Sequence, residues 1–341
     1  SPAVRLPCRK RKIHMQSTIL ILGAGVSGLT AARFLQSHGL TVTLLDKGRG
    51  VGGRVSTRKL GDRDAPRGRW DHGAQFATFR SETLKGLLQE WGALEGLTSW
   101  SHSPDGTTRN RHPLGMNQFT RQLASGLQVV NSCRIVSLQQ GQDGWTALDE
   151  AGNAFSAKML ISTLPAPQLI DLLRQSDLDL PAVAALKQIE YSRTLTLMAE
   201  LQGPSGIAAP GLLRPESAIL EQVIDNRIKG ISEAYTVTAH ARAEFSLEWY
   251  DRDRATAASV LRAALQEIVT SPILNVQIHG WKFAEAVRRH PEPCLELAPG
   301  FWAAGDGFCA GDASVSADHR PRIESAMLSG LLLAQKLRLM L

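Results

Sequence analysis

The chain has 341 residues, of which 43% are hydrophobic and 21% are charged, and this composition is typical of a folded protein with about two domains. The formal net charge is +6, but five cationic residues and no acid lie within residues 1–14, so the rest of the chain carries only +1. A nearly neutral body gives no electrostatic reason to expect nucleic-acid binding, and the lack of an apolar run of about 18 residues excludes a predicted membrane-spanning helix.

The first segment, residues 1–14, is basic and has no apolar core, so it lacks the pattern of a secretory signal. We expect this extension to be disordered, with Met15 offering a natural start just before the first strand. The cysteines are far apart and form no CxxC pair, which favours reduced thiols in the cytoplasm and gives no basis for a metal site. They are Cys8, Cys133, Cys294 and Cys309.

The most informative pattern lies in residues 18–46. An apolar run ends at three glycines with GxGxxG spacing, Gly23, Gly25 and Gly28. A helical segment and a second apolar run follow, and the second run ends at Asp46. Strand, glycine turn, helix, strand and acid in this order predict the βαβ unit of a dinucleotide-binding domain. The alternative, a glycine-rich turn that binds no ligand, explains neither the helix nor the acid.

Each residue type in this unit has a physical role. The first glycine permits a tight turn, the second lets a pyrophosphate approach the backbone, and the third lets the helix pack closely on the sheet. The helix N-terminus, at Val26 and Ser27, offers N–H groups and a partial positive charge to phosphates. Asp46 is expected to accept hydrogen bonds from an adenosine ribose.

Two further glycine segments follow. KGRGVGGR, residues 47–54, predicts a loop wrapped closely round an extended ligand, with Arg54 available for a phosphate. RWDHGAQFAT, residues 69–78, predicts another turn, with Gln75 beside it. Residues 81–97 then have helical apolar spacing.

The middle of the chain predicts strands followed by a mixed region. Three short alternating segments between Val129 and Pro165 predict an antiparallel meander, whose last strand, Met159–Leu164, is apolar enough to re-enter a parallel sheet. Beyond it, residues 166–297 are predicted to form a second layer over the ligand. The predicted elements there are a strand over Arg193–Leu201, a loop over Gly203–Pro215, a strand-rich stretch over Glu233–Trp249 and a helix over Ala255–Val269.

The C-terminal segment favours FAD over NAD as the tightly bound cofactor. A short strand, Phe301–Ala304, leads into Gly305 and Asp306, and a helix starts near Arg322. FAD needs contacts along its whole length, and Asp306 is suited to the ribityl or pyrophosphate region. The helix opening at Ile323 can present N–H groups to the flavin N1/C2=O edge. The predicted cofactor-binding residues are Gly23, Gly25, Val26, Ser27, Gly28, Asp46, Lys47, Gly53, Arg54, Ala74, Gln75, Ile135, Gly305, Asp306 and Ile323.

The motifs GAGVSG, DKGRGVGGR, DHGAQF and AAGDGF resemble those of the flavin-containing amine oxidase superfamily, and within it those of renalase-type flavoproteins, over most of residues 17–341. The resemblance implies an α/β fold with a Rossmann-like FAD-binding domain of the glutathione-reductase type, amine oxidase-like, and a second mixed α+β substrate domain. The first domain is expected to comprise residues 15–75, 113–165 and 298–341, and the second residues 76–112 and 166–297.

The resemblance also implies non-covalent FAD and an oxidase reaction. Renalase-type enzymes oxidise the 2- and 6-dihydro isomers of NAD(P) to NAD(P)+, by hydride transfer to flavin N5 and reoxidation by O2 to H2O2. The resemblance places four residues in the substrate pocket: Gln75, Asn226, His240 and Trp281. Without the resemblance, the better interpretation of Asn226 is a turn asparagine and that of His240 is a core histidine.

Two departures leave the substrate open. Residues 309–321 form an apparent insertion, and Phe76 stands where the family often carries tyrosine. An amine oxidase or a carotenoid-type desaturase on the same scaffold is therefore one alternative, and a non-catalytic flavin- or nucleotide-binding protein is another. An ordinary NAD dehydrogenase is disfavoured by the Gly305-Asp306 element.

Overall fold

The computed structural model describes residues 13–62, 64–310 and 323–341. In chain order, the strands of these residues are β1 His14–Leu22, β2 Val42–Leu45, β3 Thr57–Gly61, β4 Pro66–Asp71, β5 Thr98–His102, β6 Thr108–Arg111, β7 Gln128–Val130, β8 Ile135–Gln140, β9 Trp145–Asp149, β10 Ala154–Ser162, β11 Glu190–Tyr191, β12 Thr194–Leu201, β13 Leu212–Leu213, β14 Leu220–Asp225, β15 Thr236–Ala241, β16 Ile273–Trp281, β17 Ala286–Arg288, β18 Leu295–Ala298 and β19 Phe301–Ala303. The helices are α1 Val26–Ser37, α2 Glu82–Glu90, α3 Asn117–Leu123, α4 Ala166–Gln175, α5 Val183–Leu186, α6 Ala243–Trp249, α7 Arg254–Gln266 and α8 Ile323–Met340.

The first sheet carries the predicted dinucleotide unit. Its strand order is β18-β19-β10-β1-β2-β7, and the pairs from β19 to β7 are parallel. The central strand β1 is apolar over Ile19–Leu22 because it is buried on both faces. Strands β8, β9 and β10 form the predicted antiparallel meander, and β10 also pairs in parallel with β1. The predicted return of this strand to the parallel sheet is therefore confirmed.

Two helices from opposite ends of the chain cross where the first glycine turn lies. A Cβ on Gly330 of α8 would lie only 2.2 Å from the carbonyl oxygen of Ser27 in α1, so only glycine permits this approach. Gly28 is equally constrained, because a Cβ there would lie 2.2 Å from the carbonyl oxygen of Gly23. Residues that are about 300 positions apart in sequence thus meet at the carboxyl end of β1.

The second sheet is antiparallel, with the order β13-β14-β15-β12-β16, and α7 packs on it. Its central strand β12 confirms the predicted strand near residues 193–201, and α7 confirms the predicted helix. The strand-rich prediction for Glu233–Trp249 is wrong in its second half, where α6 forms. The rings of Phe245 and Trp249, one helical turn apart, stack at 5.5 Å between centroids, and that spacing is helical. The predicted loop over residues 203–215 contains the two-residue strand β13.

The hairpin of β3 and β4 packs on the second sheet. Trp70 on β4 donates from its indole Nε1 to the carbonyl oxygen of Ala199 on β12, at 2.9 Å. Thr236 on β15 donates to the carbonyl oxygen of Arg69, at 2.6 Å. The DHGAQF segment, which begins at the last residue of β4, is thereby held against the second sheet.

Three predictions concern the boundaries of the described chain. Strand β1 begins at His14, so the predicted extension ends at least one residue earlier and Met15 lies inside the strand; residues 1–12 lie outside the described residues. Of the apparent insertion, only Cys309 and Ala310 are described. In the described part of the chain, no helix combines the length and the hydropathy that a membrane crossing requires.

Candidate active site

The first glycine turn has open space above its middle residue. Gly23 has a φ of +102°, and a Cβ there would lie 2.7 Å from Thr163 Oγ1, so the chain itself requires this glycine. A Cβ on Gly25 would have no heavy atom within 4 Å. Gly25 also caps α1, so its open side lies at the positive end of the helix. The two glycines therefore differ: one is needed for the turn, and the other leaves room for a ligand.

The second glycine loop lies against the first, as the prediction of a closely wrapped loop requires. The N–H of Gly52 donates to the carbonyl oxygen of Ala24 at 2.8 Å. A Cβ on Gly53 would come within 3.8 Å of the Cα of Gly25. Asp46 ties the two loops together, because its carboxylate accepts from the N–H of Ala24 at 2.7 Å and from the N–H of Gly48 at 2.6 Å. A carboxylate has about four acceptor positions, so further capacity remains for ribose hydroxyls.

Lys47 and Ile135 lie beside this loop rather than in it. Lys47 is exposed, and its pKa is lowered by partial burial and by the nearby Arg134, while Asp46 opposes that shift. Ile135 is half-buried at the start of β8 and packs on the apolar cluster beneath the first sheet. Their predicted contacts with a cofactor stay predictions.

Arg54 and Asp306 form a bidentate ion pair. Nη1 lies 2.5 Å from Oδ2 and Nη2 lies 2.7 Å from Oδ1, and the same Nη1 donates to the carbonyl oxygens of Phe283 and Ala284 at 3.2 Å each. Burial lowers the pKa of Arg54, but the Asp306 carboxylate outweighs burial and the net shift is upward. The sequence analysis assigns Arg54 to a phosphate and Asp306 to the ribityl or pyrophosphate region of the cofactor. In the structure the two side chains pair with each other, although they are 252 positions apart in sequence.

The N-terminus of α8 is anchored by Glu324, whose role the sequence analysis missed. Its buried carboxylate accepts from the N–H of Arg80 at 2.7 Å and from the N–H of Ser81 at 2.6 Å. The only signal for it is an acid in the first turn of a helix. Gly305 is held beside α8 by the hydroxyl of Ser329, to which its N–H donates at 2.8 Å. Ile323 is half-buried and is the first residue of α8, and its predicted contact with a cofactor stays a prediction.

The residues at the first turn fit the pyrophosphate of FAD. The N–H groups of the first helical turn have no intrahelical acceptors. The open space over Gly25 and the free N–H groups of this turn form a cradle that an anionic group can fill. The buried Oγ of Ser27 has no hydrogen-bond partner among the described residues, but it lies on the side of α1 that faces Gly330 of α8. The predicted contacts of Val26 and Ser27 with a cofactor stay predictions.

A buried ion pair joins the last residue of β4 to the turn that follows β14. Lys229 Nζ is 2.7 Å from Asp71 Oδ2, and both side chains are 0% exposed. Asp71 Oδ1 accepts from Thr57 Oγ1 at 2.6 Å and from the N–H of Met116 at 2.8 Å. Burial lowers the pKa of Lys229, and Asp71 opposes that shift. Sequence reasoning missed this pair, because nothing near Lys229 marks it and its partner is 158 positions away.

Gln75 and His240 meet beside the ion pair. Gln75 Oε1 accepts from Lys229 Nζ at 3.1 Å, and its Nε2 donates to the carbonyl oxygen of Asp71 at 2.5 Å. The same Nε2 is 3.1 Å from His240 Nε2, and His240 Nδ1 is 3.0 Å from Thr196 Oγ1. Burial, assisted by the charge of Lys229, lowers the pKa of His240 to about 4, so the imidazole is neutral near pH 7. We assign its proton to Nδ1, because Nε2 faces an amide donor.

Asn226 extends this polar cluster. Its Nδ2 donates to Thr238 Oγ1 at 3.1 Å, and Thr238 Oγ1 donates to the carbonyl oxygen of Asp71 at 3.1 Å. Asn226 is 0% exposed, and its Oδ1 has no partner among the described residues. An unpartnered buried acceptor is costly, so this atom needs a donor, which a buried water or a bound molecule supplies.

Trp281 lies on the other side of the DHGAQF segment. Its indole Nε1 donates to the carbonyl oxygen of His72 at 2.9 Å, and the two rings stack at 5.3 Å between centroids. Burial and the neighbouring His279 lower the pKa of His72 to about 3. Ala74, by contrast, is bound through its backbone, since its N–H donates to the carbonyl oxygen of Arg54 at 3.0 Å. The structure thus brings Gln75, Asn226 and His240 into one cluster and Trp281 to its flank.

Sequence profiles place the chain among known families. The profile described as NAD(P)-binding Rossmann-like domain matches residues 21–91, and the one described as flavin containing amine oxidoreductase matches residues 111–338. Mouse (Mus musculus) renalase is 24% identical over 323 residues, which cover 86% of this chain and 93% of that protein. An L-amino-acid oxidase from Siganus canaliculatus is 47% identical, but only over 45 residues.

Solved structures share the fold at low identity. Putrescine oxidase bound to putrescine superposes with a TM-score of 0.69 at 15% identity, covering 96% of this chain and all of that one. A fatty acid isomerase from P. acnes gives a TM-score of 0.67 at 12% identity, covering 94% and 98% of the two chains. These likenesses show the fold alone. With the profile match over most of the chain and the cradle described above, they lead to one conclusion: the chain belongs to the flavin-containing amine oxidoreductase family and is an FAD-dependent oxidoreductase.

Proposed function

We propose that the protein is a renalase-like oxidase that converts 2- and 6-dihydro isomers of NAD(P) to NAD(P)+ and passes the electrons to O2. The observation that carries this proposal is the neutral amide and imidazole cluster of Gln75, Asn226 and His240 beside the second sheet. The match to mouse renalase supports it, because that match extends over most of both chains.

The cluster suits a nicotinamide better than an amine. A carboxamide has an N–H donor for the unpartnered Asn226 Oδ1 and a carbonyl acceptor for neighbouring donors. An alkylammonium needs an anionic or aromatic partner, whereas the buried carboxylate here, Asp71, is already neutralised by Lys229.

The chain's own residues act by positioning. FAD, when bound in the cradle, supplies the hydride acceptor and the route of electrons to O2. A dihydropyridine provides its own electron push from the ring nitrogen, so a strong general base is unnecessary. His240, with a pKa of about 4 and both nitrogens engaged, is a weak base that serves to orient Gln75. Lys229 Nζ and the carbonyl oxygen of Asp71 each bind the Gln75 amide and so fix its orientation.

An amine oxidase is the second candidate, favoured by the shared fold with putrescine oxidase. Fold does not fix substrate, so the two are separated by reaction with the flavin itself. Purified FAD-loaded protein is mixed anaerobically with 2-dihydroNAD, 6-dihydroNAD, ordinary NADH, putrescine or benzylamine. The absorbance of the flavin at about 450 nm is followed by stopped flow.

The proposal predicts that one equivalent of a dihydroNAD isomer bleaches the flavin and yields NAD+, whereas the amines leave it oxidised. Admission of air then restores the absorbance and yields one equivalent of H2O2. Bleaching by an amine but by neither isomer would overturn the proposal in favour of the amine oxidase. A flavin that none of the compounds reduces would indicate a non-catalytic flavoprotein.

A further inference from the structure

A cavity of about 460 Å³ lies beside the polar cluster and is not part of the cofactor cradle. It is an open depression between the β5–β6 hairpin and the Ala209-Pro210 loop, with Trp100, Arg111 and Lys229 among its lining residues. Trp100 connects the two sides, because its indole Nε1 donates to the carbonyl oxygen of Pro210 at 2.7 Å.

The cavity shares Lys229 with the predicted substrate pocket. Lys229 Nζ is 5.2 Å from the centroid of the Trp100 ring and 3.1 Å from Gln75 Oε1. The hairpin is also joined directly to the DHGAQF segment, since Ala77 and Asn110 exchange backbone hydrogen bonds at 2.9 and 2.8 Å. A molecule bound against the Gln75 amide therefore has the cavity within reach of its distal end.

Arg111 in the wall of the cavity, and Arg109 two residues before it on β6, have guanidinium nitrogens that lack acceptors among the described residues. The Nε and Nη1 atoms of Arg111 are buried without a hydrogen-bond partner among the described residues, and so is the Nε of Arg109. Burial lowers the pKa of both guanidinium groups. Asp71 pairs with Lys229, and Asp105 pairs with Arg80 while its charge also acts on Arg109. Partly buried guanidinium groups without an acceptor are costly unless an anion binds them.

The guanidinium of Arg111 is also held in place. A Cβ on Gly230, which has a φ of +83°, would lie 2.7 Å from Arg111 Nη2, so glycine allows the group to lie against this turn. The guanidinium of Arg109 lies 4.9 Å from the centroid of Phe76, whose ring is 5.9 Å from that of Trp100. Cationic donors and aromatic faces thus stand side by side, as recognition of a phosphorylated planar ligand requires.

We propose that this cavity is an anion-binding subsite for the phosphate of a nucleotide-bearing substrate, with Arg111 as the phosphate-binding residue and Trp100 as the planar wall. The inference rests on the proposed function, which it deepens: the dinucleotide is recognised through its distal phosphate as well as through its nicotinamide. The subsite selects dinucleotides over free dihydronicotinamide and against cationic amines.

Binding of ADP to the FAD-loaded protein tests the subsite without any turnover. Isothermal titration calorimetry compares the wild type with Arg111→Gln, Arg111→Lys and the control Arg174→Gln, whose side chain is exposed on α4. We expect Arg111→Gln to weaken ADP binding at least about tenfold, Arg111→Lys to restore part of it, and the control to match the wild type. The wild-type affinity should also fall as salt rises, and more steeply than that of Arg111→Gln.

Turnover separates this inference from the proposed function. With dihydroNAD isomers, Arg111→Gln should raise KM about tenfold and leave kcat unchanged. The matching dihydronicotinamide ribosides lack phosphate, so with them the KM and kcat of Arg111→Gln should equal those of the wild type. If no dihydronicotinamide is oxidised but ADP binding depends on Arg111, the proposed function fails and the subsite stands. If the isomers are oxidised but ADP does not bind, or binds Arg111→Gln and wild type equally, the subsite is overturned and the proposed function stands.

Discussion

The cofactor half and the substrate half of this molecule are built in different ways. Around the cradle, recognition depends on backbone: Gly25 leaves space, the α1 N-terminus offers N–H groups, and Asp46 braces two loops. At the predicted substrate site, beside the second sheet, the structure depends on long-range side-chain pairs such as Lys229 with Asp71. Backbone construction follows from local sequence, whereas side-chain pairs depend on the completed fold. The two halves should therefore fail differently when they are mutated.

The largest effect is expected from Lys229→Met in the substrate half. This change leaves Asp71 as a buried charge without its partner, which costs about 3–5 kcal/mol of unfolding free energy. The double variant Lys229→Met/Asp71→Asn removes both charges and should regain most of the loss, because an asparagine Oδ1 can still accept from Thr57 and Met116. Urea unfolding measures both. A loss below about 1 kcal/mol in the single variant would contradict the assigned role of the pair.

In the cofactor half, Gly25→Val should weaken FAD binding about 100-fold, or roughly 2.7 kcal/mol, while the apoprotein stays folded. A side chain there meets no protein atom within 4 Å, so it obstructs only the ligand. Gly86→Val, at a helix position that also has open space, is the matched control and should bind FAD as the wild type does. Fluorescence titration with FAD gives both affinities. Unchanged FAD affinity in Gly25→Val would mean that the pyrophosphate lies elsewhere.

The same contrast explains what could be predicted from the sequence. The βαβ unit and the meander follow from local spacing, and Gly25 and Asp46 lie where the spacing puts them. The segment that forms α6 was misassigned because a short amphipathic helix next to a strand has no distinct period. Lys229 was missed because a lysine in a turn normally lies at the surface. The Arg54–Asp306 pair was not anticipated, since each residue was assigned to the cofactor separately.

Acidification should destabilise the substrate half through its buried histidines. The pKa of His240 is about 4 in the folded protein, below its ordinary value of 6.5, so between these pH values the unfolded chain binds a proton that the folded chain does not. Stability is therefore full above pH 6.5, falls by up to about 1.4 kcal/mol per pH unit for each such histidine, and stops falling for His240 below pH 4.

His72, whose pKa is about 3, adds to the same slope. Urea unfolding at several pH values between 7 and 4 measures the slope, and His240→Gln should reduce it by about one proton. A slope that His240→Gln leaves unchanged would show that His240 is not the group that titrates.

The smallest effect is expected at Arg193, which belongs neither to the cradle nor to the polar cluster of Gln75, Asn226 and His240. Its ion pair with Asp251, at 2.7 Å, involves a carboxylate that is 81% exposed. Exposed pairs of this kind contribute about 0–1 kcal/mol, so Arg193→Gln should change the unfolding free energy by less than 1 kcal/mol and leave FAD affinity unaltered. Thermal unfolding and FAD titration check this. Weaker FAD binding in Arg193→Gln would mean that the second sheet also contributes to the cofactor site.

The most direct test of the division into two halves is a pair of measurements on His240→Gln. This variant changes the substrate cluster and leaves the glycine turn and α1 untouched. Its FAD dissociation constant should lie within about twofold of the wild-type value, while anaerobic flavin reduction by 6-dihydroNAD should be at least about tenfold slower. The opposite result, weakened FAD binding with unimpaired reduction, would contradict the account.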